Sequence, residues 1–168
     1  MRSAFLTCLL LAVGLVLKAQ TQPPAPTGCF VTKGSGEMTI TGSTTFLLDD
    51  LTDFTSSEAI STININVNCN KNYKVSIAGE IIDMVPSTTN TIIPIGTFMA
   101  LATDQVAGAP VTPVTLTGVY QTLIQNGKTP GSSGRNHQLT ITRNALSSFT
   151  QAPGGHTLRL HFYFCQTE

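Results

Sequence analysis

From residue 60 to residue 69 the chain reads ISTININVNC, and from Thr62 onward every second side chain is apolar or cysteine. Ile63, Ile65, Val67 and Cys69 share one parity, and Thr62, Asn64, Asn66 and Asn68 share the other. A strand sends successive side chains to opposite faces, so this pattern makes a strand with one buried and one wet face. Tyr73, Val75 and Ile77 then alternate with Lys74 and Ser76. Asn70, Lys71 and Asn72 between the two runs supply turn chemistry, and the pair reads as a β-hairpin with a three-residue loop. The chain closes on the same period: Leu158, Leu160, Phe162 and Phe164 point one way, Thr157, Arg159, His161 and Tyr163 the other. No long helical period and no internal repeat accompanies these runs.

Shorter strands are expected at residues 30–32, 37–40, 44–48, 81–85, 91–95, 97–102, 111–117 and 137–142, with one helical turn within 119–124. Pro94, Pro110 and Pro113 place several of these at edges or breaks, because proline cannot donate to a ladder. Residues 128–136, KTPGSSGRN, form a surface loop. Short strands at regular spacing with turn residues between them predict an all-β fold, an antiparallel β-sandwich. A closed barrel is the rival, since periodicity does not count sheets.

The start of the chain has a different grammar. Arg2 precedes an apolar run at residues 5–17, FLTCLLLAVGLVL, and Ala19 offers a small residue for cleavage. The run is shorter than the ~20 residues a spanning helix needs, which favours a secretory signal over a membrane anchor. Residues 1–19 are therefore expected to be a signal peptide, residues 20–28 a proline-rich lead segment that is extended and solvated, and residues 29–168 one domain. No later segment is long and apolar enough to span a bilayer. Of nine Lys and Arg, Arg2 and Lys18 leave with the signal, so seven remain against nine acidic residues, a formal charge of −2. That balance excludes the basic surface nucleic-acid binding needs. The expected location is secreted or cell-surface, reached through the periplasm.

Export makes a disulfide expected. Cys8 departs with the signal, and Cys29, Cys69 and Cys165 allow three pairings. Parity favours Cys29 with Cys69, which faces the core, and leaves Cys165, of outward parity, unpaired or bonded between chains. On that pairing, loss of Cys69 unfolds the domain and loss of Cys165 does not. No CxxC, HExxH, GxSxG or phosphate-binding glycine loop occurs, so neither an enzyme nor a cofactor is expected. His156 and His161 have opposite parity on one strand and cannot chelate together, and His137 lies elsewhere. The acidic run Asp49, Asp50, Asp53 lacks the spacing of a calcium loop and reads as a solvated turn. For sugars the chain offers no tryptophan, and Tyr73, Tyr120 and Tyr163 are scattered, with Tyr73 inward and Tyr163 outward.

The early Cys29, the run INVNCNKNYKVSIAGE with Cys69 and residues 73–79, and the closing GGHTLRLHFYF led by Gly155 resemble bacterial fimbrial Ig-like domains. They look most like the spore coat protein U family and the chaperone–usher pilins. The resemblance covers residues 29–164 and implies an Ig-like, pilin-like sandwich with an incomplete edge and a Cys29–Cys69 bridge. It also implies that Leu158, Leu160, Phe162 and Phe164 form the strand flanking that edge, where a chaperone and then a neighbouring subunit donate a strand. Partners would be further copies or other surface subunits and a periplasmic chaperone. Thr167 stands where pilins commonly carry tyrosine, and the leader TQPPAPTG is a poor strand donor. The function expected is thus a structural subunit of a surface fimbria, pilus or coat. The alternative is a monomeric module binding a glycan or a surface.

Overall fold

A computed structural model describes residues 22–26, 36–48, 55–83, 93–104, 113–127, 134–146 and 154–167. The expected signal peptide, the expected strand at 30–32 and the acidic run at 49–53 lie outside them. Nine strands appear among the described residues: β1 (Gly36–Thr41), β2 (Thr45–Leu48), β3 (Glu58–Cys69), β4 (Asn72–Asp83), β5 (Phe98–Asp104), β6 (Val114–Thr115), β7 (Gln121–Gly127), β8 (Arg135–Arg143) and β9 (Gly154–Thr167). They form two antiparallel sheets, one of five strands in the order β1-β3-β8-β5-β6 and one of four in the order β2-β9-β4-β7. The fold is a β-sandwich, as the alternation predicts, and not a closed barrel.

The period of two becomes burial directly. In β3, Ile63, Ile65, Val67 and Cys69 are buried while Thr62, Asn64 and Asn68 are exposed. Leu139 and Ile141 of β8 and Phe98, Ala100 and Ala102 of β5 complete that wall of the core. Tyr73, Val75 and Ile77 of β4, Leu123 and Ile124 of β7, and Leu158 of β9 face them from the other sheet. On the wet side of the five-stranded sheet, Asn66 donates from Nδ2 to Oδ1 of its cross-strand partner Asn136 at 2.6 Å.

Three expectations are corrected. β3 and β4 are not a hairpin: β3 pairs with β1 and β8, β4 with β7 and β9, and residues 70–71 carry the chain from one sheet to the other. Alternation is satisfied by either arrangement, because both strands turn their apolar faces to one core. The choice between them is made by strands distant in sequence. Of the helical turn expected within 119–124, residues 121–124 lie in strand β7. Its pairing with β4 shifts register between Val75 and Ser76, which lets the adjacent Leu123 and Ile124 both be buried. A bulge of this kind breaks the period of two and imitates a helical pattern. Finally, residues 81–83 of the strand expected at 81–85 are the continuation of β4, which runs unbroken past Gly79. At Gly79 the backbone amide donates to the Thr117 carbonyl at 2.9 Å, and an added Cβ would lie 2.9 Å from Ile95 Cδ1. Of the strand expected at 91–95, the described part is extended Ile93 and Pro94 leading into a 3₁₀ turn at Ile95–Thr97.

Candidate functional site

The closing strand is not at the margin of its sheet. β9 pairs with β4 along its length, from Thr167 opposite Asn72 to His156 opposite Asp83. Its other side meets β2 only from Thr157 opposite Thr45 to Gly154 opposite Leu48. The Leu158 amide still donates to the Thr44 carbonyl at 3.1 Å, and along residues 159–164 no strand among the described residues pairs on that side. β1 belongs to the five-stranded sheet and β2 to the four-stranded one, and the chain crosses between them through Gly42, whose φ of 146° suits glycine.

Next to the crossing, burial on β1 is incomplete. Met38 and Ile40 pair with Val67 and Ile65, so both carry inward parity. Yet Ile40 is 38% exposed, one of two exposed large apolar residues among those described, and Met38 is half-buried. On β9, Leu160, Phe162 and Phe164 pack on the core but are only half-buried, whereas Leu158, nearest β2, is fully buried. The far end is closed by β1 itself. A Cβ on Gly36 would lie 2.7 Å from Cys69 Cβ, 2.8 Å from Gln166 Nε2 and 3.1 Å from Phe164 Cζ. Leu158, Leu160, Phe162 and Phe164 thus share the core-facing side of β9, and three of the four are only half-buried on it.

The cysteines depart from what parity implies. Cys69 is buried as a free thiol and donates from Sγ to the Lys71 carbonyl at 3.0 Å. Cys165 is disulfide-bonded. A Cys29–Cys69 bridge is thus excluded, and Cys29 itself lies outside the described residues. Cys69 does face inward, but a core-facing sulfur is walled off by its neighbours. For Cys165, outward parity does not bring exposure: the residue is 2% exposed.

His137 of β8 is buried, and its Nε2 hydrogen-bonds the Tyr73 hydroxyl across the core. On the outer face of the four-stranded sheet, Glu80 sits opposite Arg159, with Oε2 at 3.7 Å from Arg159 Nη1 and 3.7 Å from His161 Nε2. No group of three His, Cys, Asp or Glu among the described residues could hold a metal ion. No described helix is long and apolar enough to cross a membrane. Tyr73 is in the core, as its parity predicts. The other two tyrosines, scattered in sequence, are neighbours in space: the Tyr120 and Tyr163 rings lie 5.6 Å apart at 60°. No sequence signal links them, since 43 positions of chain separate the two residues.

Comparison with protein-family models, with curated proteins and with solved structures finds no match to this chain.

Proposed function

We propose that this chain is an exported structural subunit of a bacterial surface fimbria, pilus or coat, and that it accepts an extended segment of a neighbouring subunit along residues 159–164 of β9. The observation that carries the reading is the inward-facing but exposed Ile40 of β1 together with the half-buried Leu160 and Phe162 of β9, which we read as the two walls of an apolar furrow. A guest strand placed there would pair with β9 through main-chain hydrogen bonds and set alternate side chains into the furrow. Each large apolar side chain it buries contributes about 1.5–3 kcal/mol. A strand edge left open over an apolar core is an aggregation hazard, so on this reading a periplasmic chaperone would be its first occupant. The proline-rich leader is unsuited to donate, so the chain acts as a receiver, and no catalytic step is involved.

The test is a gel of assembled surface material, run in detergent with and without boiling. A cold ladder that collapses to monomer on boiling is expected. Ile40→Lys should remove the ladder, because a charge in the furrow repels an apolar guest. The isolated variant should stay within about 0.5 kcal/mol of the parent stability, as for an exposed site. A single monomer band in both lanes, or a ladder indifferent to Ile40→Lys, would overturn the proposal.

A further inference from the structure

The sequence predicts a solvated leader, but residues 22–26, QPPAP, are engaged with the domain. Gln22 donates from Nε2 to the Tyr120 hydroxyl at 3.2 Å, 98 positions away. Pro23 and Pro26 are half-buried while Pro24 and Ala25 are exposed. Burial at every third residue is the period of a polyproline-II helix, whose three residues per turn bring positions three apart onto one edge.

The surface beside the leader has the matching chemistry. Tyr120 packs against Tyr163 of β9, and Tyr163 stands opposite Ser76 of β4. Ser76 and Ala78 have the parity that faces away from the core, yet they are 2% and 0% exposed. Small side chains there leave a flat floor flanked by Tyr163 and His161, both half-buried. Extended proline-rich chain suits such a floor. Its rings stack on aromatic faces, its rigidity lowers the cost of ordering, and its solvated carbonyls accept from tyrosine hydroxyls.

We propose that Tyr120 and Tyr163 form a docking seat for polyproline-type chain on the outer face of the four-stranded sheet, filled by the chain's own residues 22–26. The seat lies on the opposite face of β9 from the furrow and does not depend on strand acceptance. It tethers the leader and reserves an interaction surface for proline-rich segments whenever the leader is displaced.

Two measurements test this. In the unmodified chain, NMR cross-peaks are expected from Tyr120 or Tyr163 ring protons to the side-chain protons of Pro23 or Pro26, and their absence would overturn the seat. In the full chain carrying Pro23→Gly and Pro26→Gly, a dye-labelled peptide TQPPAPTG should bind saturably by fluorescence anisotropy. The unmodified chain, its seat filled, should bind it at least tenfold more weakly. Adding Tyr120→Ala to the double-glycine chain should cost at least tenfold, with the circular dichroism spectrum unchanged. Absence of binding to the double-glycine chain, equal binding by the unmodified chain, or indifference to Tyr120→Ala would each overturn the proposal.

Discussion

Cys165→Ser is expected to lower the unfolding free energy by about 2–5 kcal/mol, the usual cost of losing a native disulfide from a small exported domain. Cys69→Ser should cost about 1 kcal/mol, in the ordinary range for a buried conservative change. The serine hydroxyl can still donate to the Lys71 carbonyl, and no bridge is broken, because Cys69 is a free thiol. This is the reverse of the order that strand parity implies. Urea unfolding of both variants, with and without reductant, checks it: reductant should bring the parent down to the level of Cys165→Ser and leave that variant unmoved. Equal losses from the two variants, or a parent indifferent to reductant, would contradict the expectation. A non-reducing peptide map should join the Cys165 peptide to one holding Cys29, the cysteine that remains once Cys69 is free and the expected signal takes Cys8 away.

The second large effect centres on Tyr73. Its ring is fully buried, and its hydroxyl reaches His137 across the core. The ring also packs 6.1 Å from that of Phe164, at the end of the furrow. Gly127 lies directly opposite Tyr73 in the β4–β7 ladder, where an added Cβ would come within 2.5 Å of Tyr73 Cζ. Real Cβ atoms do not approach so closely, so the ring must move and its bond to His137 stretch. Tyr73→Ala is expected to cost about 3–5 kcal/mol, as for deletion of a large core aromatic. Gly127→Ala should cost about 1–3 kcal/mol by overpacking. In the Tyr73→Ala background the glycine change should cost close to nothing, since the ring it collides with is gone. The double-mutant cycle, read by urea unfolding, isolates this contact. A Gly127→Ala cost unchanged by Tyr73→Ala would place the strain in the backbone instead.

Part of this architecture is legible in the order of residues alone. Ile63, Ile65, Val67, Tyr73, Val75, Ile77, Leu139, Ile141 and Leu158 are buried where their alternation puts them, because a strand's period of two is a local property of the backbone. The candidate furrow is legible in half. Leu158, Leu160, Phe162 and Phe164 do share one face, but Met38 and Ile40 on the facing wall carry no sequence sign of belonging to the same site. Where local reasoning fails, the cause is contact between distant segments. Leu123 and Ile124 read as a helical turn because a bulge against β4 breaks their period. Residues 70–72 read as a hairpin because nothing local records that β1 and β8 claim one strand and β7 and β9 the other.

By itself, then, the sequence determined that this is an all-β chain and which side chains of its strands face the core. Those are consequences of backbone geometry and of water's exclusion of apolar surface, and both act residue by residue. Tertiary structure alone decided how the strands are shared between two sheets, which sulfur is bridged and how far β9 is covered. It also decided that Tyr120 meets Tyr163 beside a docked leader. Each of these turns on which of several locally equivalent strand pairings forms. That choice rests on the joint burial of residues tens of positions apart, a quantity that belongs to the packed whole and to no single segment.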